Sequence, residues 1–482
     1  LSLRQAALAL ALLALPGLGI AHGFGRLYTL PVPLWLYAWG AGSALVVSFL
    51  LPAFFLNAPA PGTTRPPRDL SDSAFGKTLR RLLPALRLLS LALLLLCIAT
   101  AAFGNRDPYR NFSMPFFWVW FTLGFTYLIA LTGDFYGPLN PWRVLASALQ
   151  RAWPAYGRGL WTYPTHWGER PALLLYLGFI GVELFGHGRP RALAEMLLVY
   201  SLINLVGVGL IGARDWFRYG DCFAVFFRLV GRMGVFAVEA GRLYARPLLS
   251  DLSAGRPTSL STVLFVLAML ASTAFDGLRA TQTWVQLFWG DATGLITALT
   301  ELRPMQDIAR FRSWYLAWES FSLVALPLLY FAAYALALWL GRLLTRSRRP
   351  LRELMLDFGY SLLPIALVYH LTHYATLLLS EGLKVLALIS DPFGWGWNLF
   401  GTAWRFRAPI LPPIEWVWHS QVGMILLGHV LSVVVAHRIA LRVFPTRAQA
   451  LLSQLPMLIF MIGLTVAGLW ILSQPLTTER LM

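Results

Sequence analysis

Charge is scarce in this sequence. Asp, Glu, Lys and Arg together make 13% of the 482 residues, against 57% hydrophobic residues and a mean hydropathy of +0.62. A single soluble domain must keep charged groups on its surface, and so thin a supply excludes one. Cysteine is nearly missing. Cys97 lies within an apolar run, Cys222 lies beside another, and no CxxC pair exists. A disulfide framework and a zinc knuckle are both excluded. Acidic residues are outnumbered by basic ones, 22 to 39, for a net charge of +17 carried almost wholly by Arg. On a soluble chain that excess would suggest nucleic acid. Here the Arg residues cluster between apolar runs, where they fix membrane orientation, so no nucleic-acid partner is read. The two-residue alternation of a barrel strand is also lacking in runs such as Leu91 to Ala99 and Val263 to Leu270. With barrels excluded, backbone polar groups in lipid are satisfied only inside helices.

What is present therefore reads as an all-α, polytopic transmembrane bundle whose solvent and main partner is the lipid bilayer. Arg4, the apolar stretch from Ala6 to Leu15, Pro16 and the small-residue end Gly19-Ile20-Ala21 have the layout of a signal peptide over 1–21, leaving 22–482 as one helical domain. Ten spans are expected, at approximately 33–56, 87–104, 115–132, 171–187, 193–212, 259–278, 316–342, 358–389, 416–436 and 455–473. Alternate loops carry Arg65 to Arg81, Arg143 to Arg158, Arg214 to Arg246, Arg346 to Arg352 and Arg438 to Arg447, which places those five inside and both ends of the mature chain outside. The segment 278–315 fits least, with Arg279, Arg303, Arg310 and Arg312 beside three acids. Trp35, Trp118, Trp395, Trp397, Trp416 and Trp418 sit at span ends, as interfacial anchors do. Val144 to Trp153 and Cys222 to Ala240 interleave Arg with apolar residues, a pattern expected of helices lying flat in the inner leaflet or packed under the bundle. The Pro-, Arg- and Ser-rich 59–84 stretch reads as a flexible linker.

Ionisable groups within apolar spans are costly and mark candidate sites. His370 and His373 share a helix face at i, i+3, and His429 on the next span has a comparable expected depth. Three neutral imidazoles with an open position would suit a divalent, zinc-type metal; equally, each would suit a hydrogen bond to a neighbouring helix. Asp276 in Phe275-Asp276-Gly277 falls inside the sixth apolar stretch, toward its outer end. Glu183 with His187, Glu319, Asp391 and His419 are placed near the outer face, where ordinary solvated charges also belong. His22, at the expected mature N-terminus, offers an amine and an imidazole to copper.

Several stretches in order resemble a bacterial family of integral membrane proteins known as fenitrothion hydrolases. They are Ala21-His22-Gly23 with Leu30 to Trp35, Gly133-Asp134 with Leu139 to Arg143, Phe275-Asp276-Gly277, Tyr369 to Tyr374, Asp391 to Ala403, and Gly428-His429. Asn398 stands where the resemblance would put Asp. The resemblance implies a bacterial inner-membrane hydrolase of apolar organophosphate triesters. A metal held by His370, His373 and His429 would supply hydroxide, with Asp276 as proton acceptor. The strand and helix alternation of a soluble phosphotriesterase barrel is absent. The rival expectation is a transporter or metal-handling protein whose intramembrane histidines form a metal or proton pathway.

Overall fold

The computed structural model describes residues 33–55, 67–186, 188–406, 408 and 412–474. The signal-peptide stretch, His22 and His187 lie outside the described residues.

Among the described residues, nine helices are long and apolar enough to cross a membrane: α1 (Leu34–Phe55), α2 (Ala74–Phe103), α3 (Pro115–Thr132), α6 (Pro190–Ile211), α8 (Leu260–Arg279), α10 (Ile308–Leu344), α11 (Leu351–Glu381), α12 (Ile414–Val443) and α13 (Arg447–Ser473). Between them stand α4 (Pro141–Ala152), α5 (Arg170–Phe185), α7 (Cys222–Gly231) and α9 (Gln282–Trp289). The fourth expected span is α5. Its 16 residues reach roughly 24 Å by helical rise, short of the roughly 30 Å of bilayer hydrocarbon. It nevertheless runs the length of α8: the Glu169 amide before it bonds Ser261 Oγ at one end of α8, and its Leu184 carbonyl accepts from Arg279 at the other. Its opposite face is uncovered, with Leu174 71% and Val182 38% exposed.

Helix starts follow local chemistry. Ser73, Asn140, Asp221, Ser259, Thr281, Asp307 and Thr446 each turn a side-chain oxygen onto amides of the first turn, which have no intrahelical acceptor. The core centres on α8, whose residues from Thr262 to Gly277 are almost all buried, while α2 and α10 expose rows of Leu, Val and Phe to lipid. Gly428 lets α12 approach α11 closely, since a Cβ there would lie 2.7 Å from Val368 Cβ.

The five basic segments gather at one end of the bundle. Arg68–Asp69 (β1), Phe236–Glu239 (β2) and Arg242–Ala245 (β3) form an antiparallel sheet in the order β1-β3-β2, tied further by the Asp69–Arg242 ion pair at 2.6 Å. Asn140 donates to Asp221 at 2.7 Å. Arg256 reaches Glu353 and Arg349 reaches Asp357, each at 2.7 Å, while Gln449 donates to the Thr345 carbonyl. At the opposite end, loop 104–112 bonds loop 391–394 through Asn105 to Phe393 and Phe112 to Pro392.

Three expectations are corrected. Residues 67–84 are not a linker, because Ser73 caps a helix that begins at Ala74, thirteen residues before the expected span. Cys222 to Ala240 is not one helix: α7 is buried on every side, and the chain then turns into the β2–β3 hairpin. Glycine explains the break, since Gly133 at φ +122° lies against the Phe236 carbonyl and Gly234 lies against the Gly133 amide, contacts that leave no room for a Cβ. Trp418 is no interfacial anchor, being 1% exposed and packed edge-on against Tyr37. The stretch Val144 to Trp153 does fall within a helix and its capping residue, α4, with Trp142 and Ala146 buried beneath it.

Gly133→Ala is expected to destabilise the folded protein by about 2 kcal/mol or more, seen as a lower apparent Tm in detergent. Gly463→Ala, where a side chain would meet open space, should leave Tm unchanged or slightly raised.

Candidate acid–base centre inside the bundle

Asp276 lies three residues before the end of α8 and is 6% exposed. Its Oδ2 accepts a hydrogen bond from the Tyr374 hydroxyl at 2.9 Å and pairs with His373 Nε2, also at 2.9 Å. Both partners belong to α11, adjacent in sequence, with their rings edge-to-face at 4.6 Å. Gly277 makes the approach possible: a Cβ there would stand 3.4 Å from the His373 ring and 2.7 Å from Ile471 of α13. Around this triad, His370 packs edge-on against Tyr374 at 4.9 Å and places Nδ1 3.4 Å from the Tyr127 hydroxyl of α3. Glu183 of α5 interacts electrostatically with Asp276 and Tyr374. One turn below, Tyr176 and Ser272 share a hydrogen bond at 3.1 Å.

Ser272, Asp276 and Arg279 occupy positions i, i+4 and i+7 of α8 and so form one polar stripe. Arg279 holds both carboxylate oxygens of Glu319 at 3.0 and 3.2 Å, donates to the Leu184 carbonyl at 2.7 Å, and lies over the Phe185 ring. The guanidinium thereby neutralises a carboxylate that is 3% exposed and covers a carbonyl at the end of α5.

The structure brings together two of the four expected site residues and sets the others around them. Asp276 and His373 lie at one depth, so the carboxylate missing from the two histidine-bearing spans comes from α8. His370 stands beside them, packed on the Tyr374 ring. His429 is apart. Gln421 of α12 donates to the Thr372 carbonyl, and Gly428 faces Pro364 and Val368, an antiparallel register that sets His429 roughly 8 Å below His370 and roughly 12 Å below His373. Its Nδ1 bonds the Ile425 carbonyl of its own helix at 2.8 Å. Among the described residues no three His, Cys, Asp or Glu side chains form a metal-holding group. The three-histidine cage is thus not assembled, because consecutive antiparallel helices put these positions at different heights.

The outer-face candidates separate likewise. Glu319 is committed to Arg279, and the Asp391 carboxylate is bonded by the Trp395 and Gly396 amides, which makes it a loop-former. Asn398 also serves its loop by accepting from the Ala403 amide. His419 is exposed and bonds the Glu415 carbonyl. Sequence reading took Arg279 only as a loop charge, although its i+3 spacing from Asp276 was the available signal of a shared face.

Arg279→Gln is expected to destabilise the protein by roughly 3–5 kcal/mol, because it leaves Glu319 buried without its cation. The double replacement Arg279→Leu with Glu319→Leu should recover most of that loss in thermal unfolding. Additive losses instead would mean that the pair does not interact.

No family model matches the chain, and no curated protein or solved structure matches it, so the centre is read from its own geometry.

Proposed function

We propose that the protein is a proton-coupled membrane transporter and that Asp276, His373 and Tyr374 are its acid–base centre. The observation that carries this reading is the carboxylate–imidazole–phenol contact itself, held between two spanning helices with Asp276 6% and Tyr374 7% exposed and the His373 side chain 10% exposed. Proton exchange needs hydrogen-bonded neighbours and little space, and ionisable groups that face a bundle interior commonly serve it. Glu183 and His370 flank the triad, and His429 lies farther down the same bundle.

A second reading, hydrolysis of apolar organophosphate triesters, draws on the resemblance noted above and on the same pair. Asp276 would orient His373, and His373 would take the proton of an attacking water. That chemistry requires a bulky triester to reach a centre that is nearly covered, and this ranks it second. Neither reading routes a step through a metal, since His429 stands apart from His370 and His373.

In proteoliposomes with an internal pH dye, the purified protein is expected to dissipate an imposed proton gradient, and Asp276→Asn and His373→Phe should each slow this at least tenfold. Undiminished flux in Asp276→Asn would reject the centre. Phosphotriester turnover in the same preparation, lowered roughly 10²–10⁴-fold by either variant, would favour the second reading.

We place the basic end of the bundle in the cytoplasm of a bacterium, with the protein in its inner membrane, because Arg-rich short loops resist translocation. A cysteine introduced as Arg348→Cys should react with a membrane-impermeant maleimide only after lysis. The native Cys97 and Cys222 are both buried and give little background. Labelling in intact cells would invert the topology.

A further inference from the structure

At the end of the bundle opposite the basic loops, a cavity of about 250 Å³ opens between residues 109–110, the short helix Lys384–Leu388 and the loop from Asp391 to Trp404. Its walls are tied in place. Asn105 and Phe112 bond the carbonyls of Phe393 and Pro392, the hydroxyls of Ser390 and Thr402 meet at 2.7 Å, and Thr402 Oγ1 donates to the Leu386 carbonyl. Gly394, at φ +70°, lies against the Arg110 carbonyl where no Cβ would fit. The enclosure is therefore preformed, as ligand cavities commonly are.

Three charged side chains line it, and two are already committed. Lys384 Nζ is held by both Glu381 oxygens at 2.7 and 2.9 Å, and the Asp391 carboxylate is occupied by the amides of Trp395 and Gly396. Among the described residues the Arg110 guanidinium has no such partner, which leaves it the charged group of this lining open to a ligand. Aromatic faces from Tyr109, Trp397 and Trp404 join small and aliphatic residues in the remaining lining.

We propose that this cavity binds an amphipathic organic phosphate, with the phosphate on Arg110 and the apolar body against Trp397 and Trp404. Arg favours phosphate through its planar donor fork, and tryptophan rings pack against apolar chains while standing at the water boundary. The same chemistry is offered by a phospholipid from the surrounding leaflet and by a free alkyl or aryl phosphate.

Hexyl phosphate is the probe, titrated into full-length protein in a non-ionic detergent and followed by tryptophan fluorescence and calorimetry. Saturable binding is expected, at least tenfold weaker in Arg110→Gln, with inorganic phosphate at least tenfold weaker than hexyl phosphate on the native protein. Trp404→Ala, compared at matched Tm, should weaken hexyl phosphate while leaving inorganic phosphate unchanged; Trp404 is 68% exposed. Loss of hexyl phosphate binding on transfer to phosphatidylglycerol nanodiscs assigns the site to phospholipid, and binding that persists there assigns it to a soluble phosphate. Either result upholds the site. Absence of saturable binding, or equal affinity in native protein and Arg110→Gln at matched Tm, overturns it.

Discussion

A carboxylate inside a helical membrane bundle has to be met by donors from neighbouring helices, since leaving it unmet costs several kilocalories per mole. Asp276 is met twice by α11, through His373 and Tyr374. That double contact fixes the rotation of α8 against α11, and the choice of small residues follows from it. Gly277 leaves room for the imidazole, and Gly468 of α13 leaves room for Tyr369 from the same face of α11. Without a hydrophobic force between helices in lipid, such close crossings and the polar contacts across them carry the association.

The same demand orders both ends of the bundle. At the basic end, the carboxylate of Glu169 is taken up by the hydroxyls of Ser259, Ser261 and Thr262, which docks α5 onto the start of α8. Asp221 caps α7 and also receives Asn140 and Tyr200, joining α4, α6 and α7 in one node. At the other end Arg279, Glu319 and the Leu184 carbonyl close α5, α8 and α10 together. The short α5 is fixed along the length of α8 because hydroxyls hold it at one end and a guanidinium at the other.

The spans were legible because lipid demands a length and a composition that any window of sequence displays: α1, predicted over 33–56, runs from Leu34 to Phe55. The start of α2 was not, since Ser73 and the prolines and arginines before it read alike as linker or as cap. The β2–β3 hairpin escaped because Gly231 and Gly234 act through a distant backbone, that of residues 133 and 134. At the site, the histidine pair and Asp276 were each visible as costly groups in apolar runs. Their meeting was hidden, for it depends on which of ten helices lies beside which, and apolar sequence carries little of that information. The offset of His429 from His370 and His373, roughly 8 and 12 Å by helical rise, was legible from the span ends, and the register of α12 against α11 keeps it where helix tilt was expected to close it.

The register of α11 against α12 sets a condition on the proposed proton traffic. His429 Nε2 and Ser432 Oγ, three residues apart on α12, and the Tyr369 hydroxyl on α11 are buried with no hydrogen-bond partner among the described residues. Buried polar atoms of this kind are normally satisfied by internal water. The rise of roughly 8 Å from His429 to His370 exceeds one hydrogen bond and matches two or three in series. On that reading His429 and Ser432 of α12 and Tyr369 of α11 are buried polar groups available to protons passing between the Asp276 centre and the basic end. A direct hydrogen bond between the imidazoles of His429 and His370 is ruled out by the register that makes α11 and α12 fit.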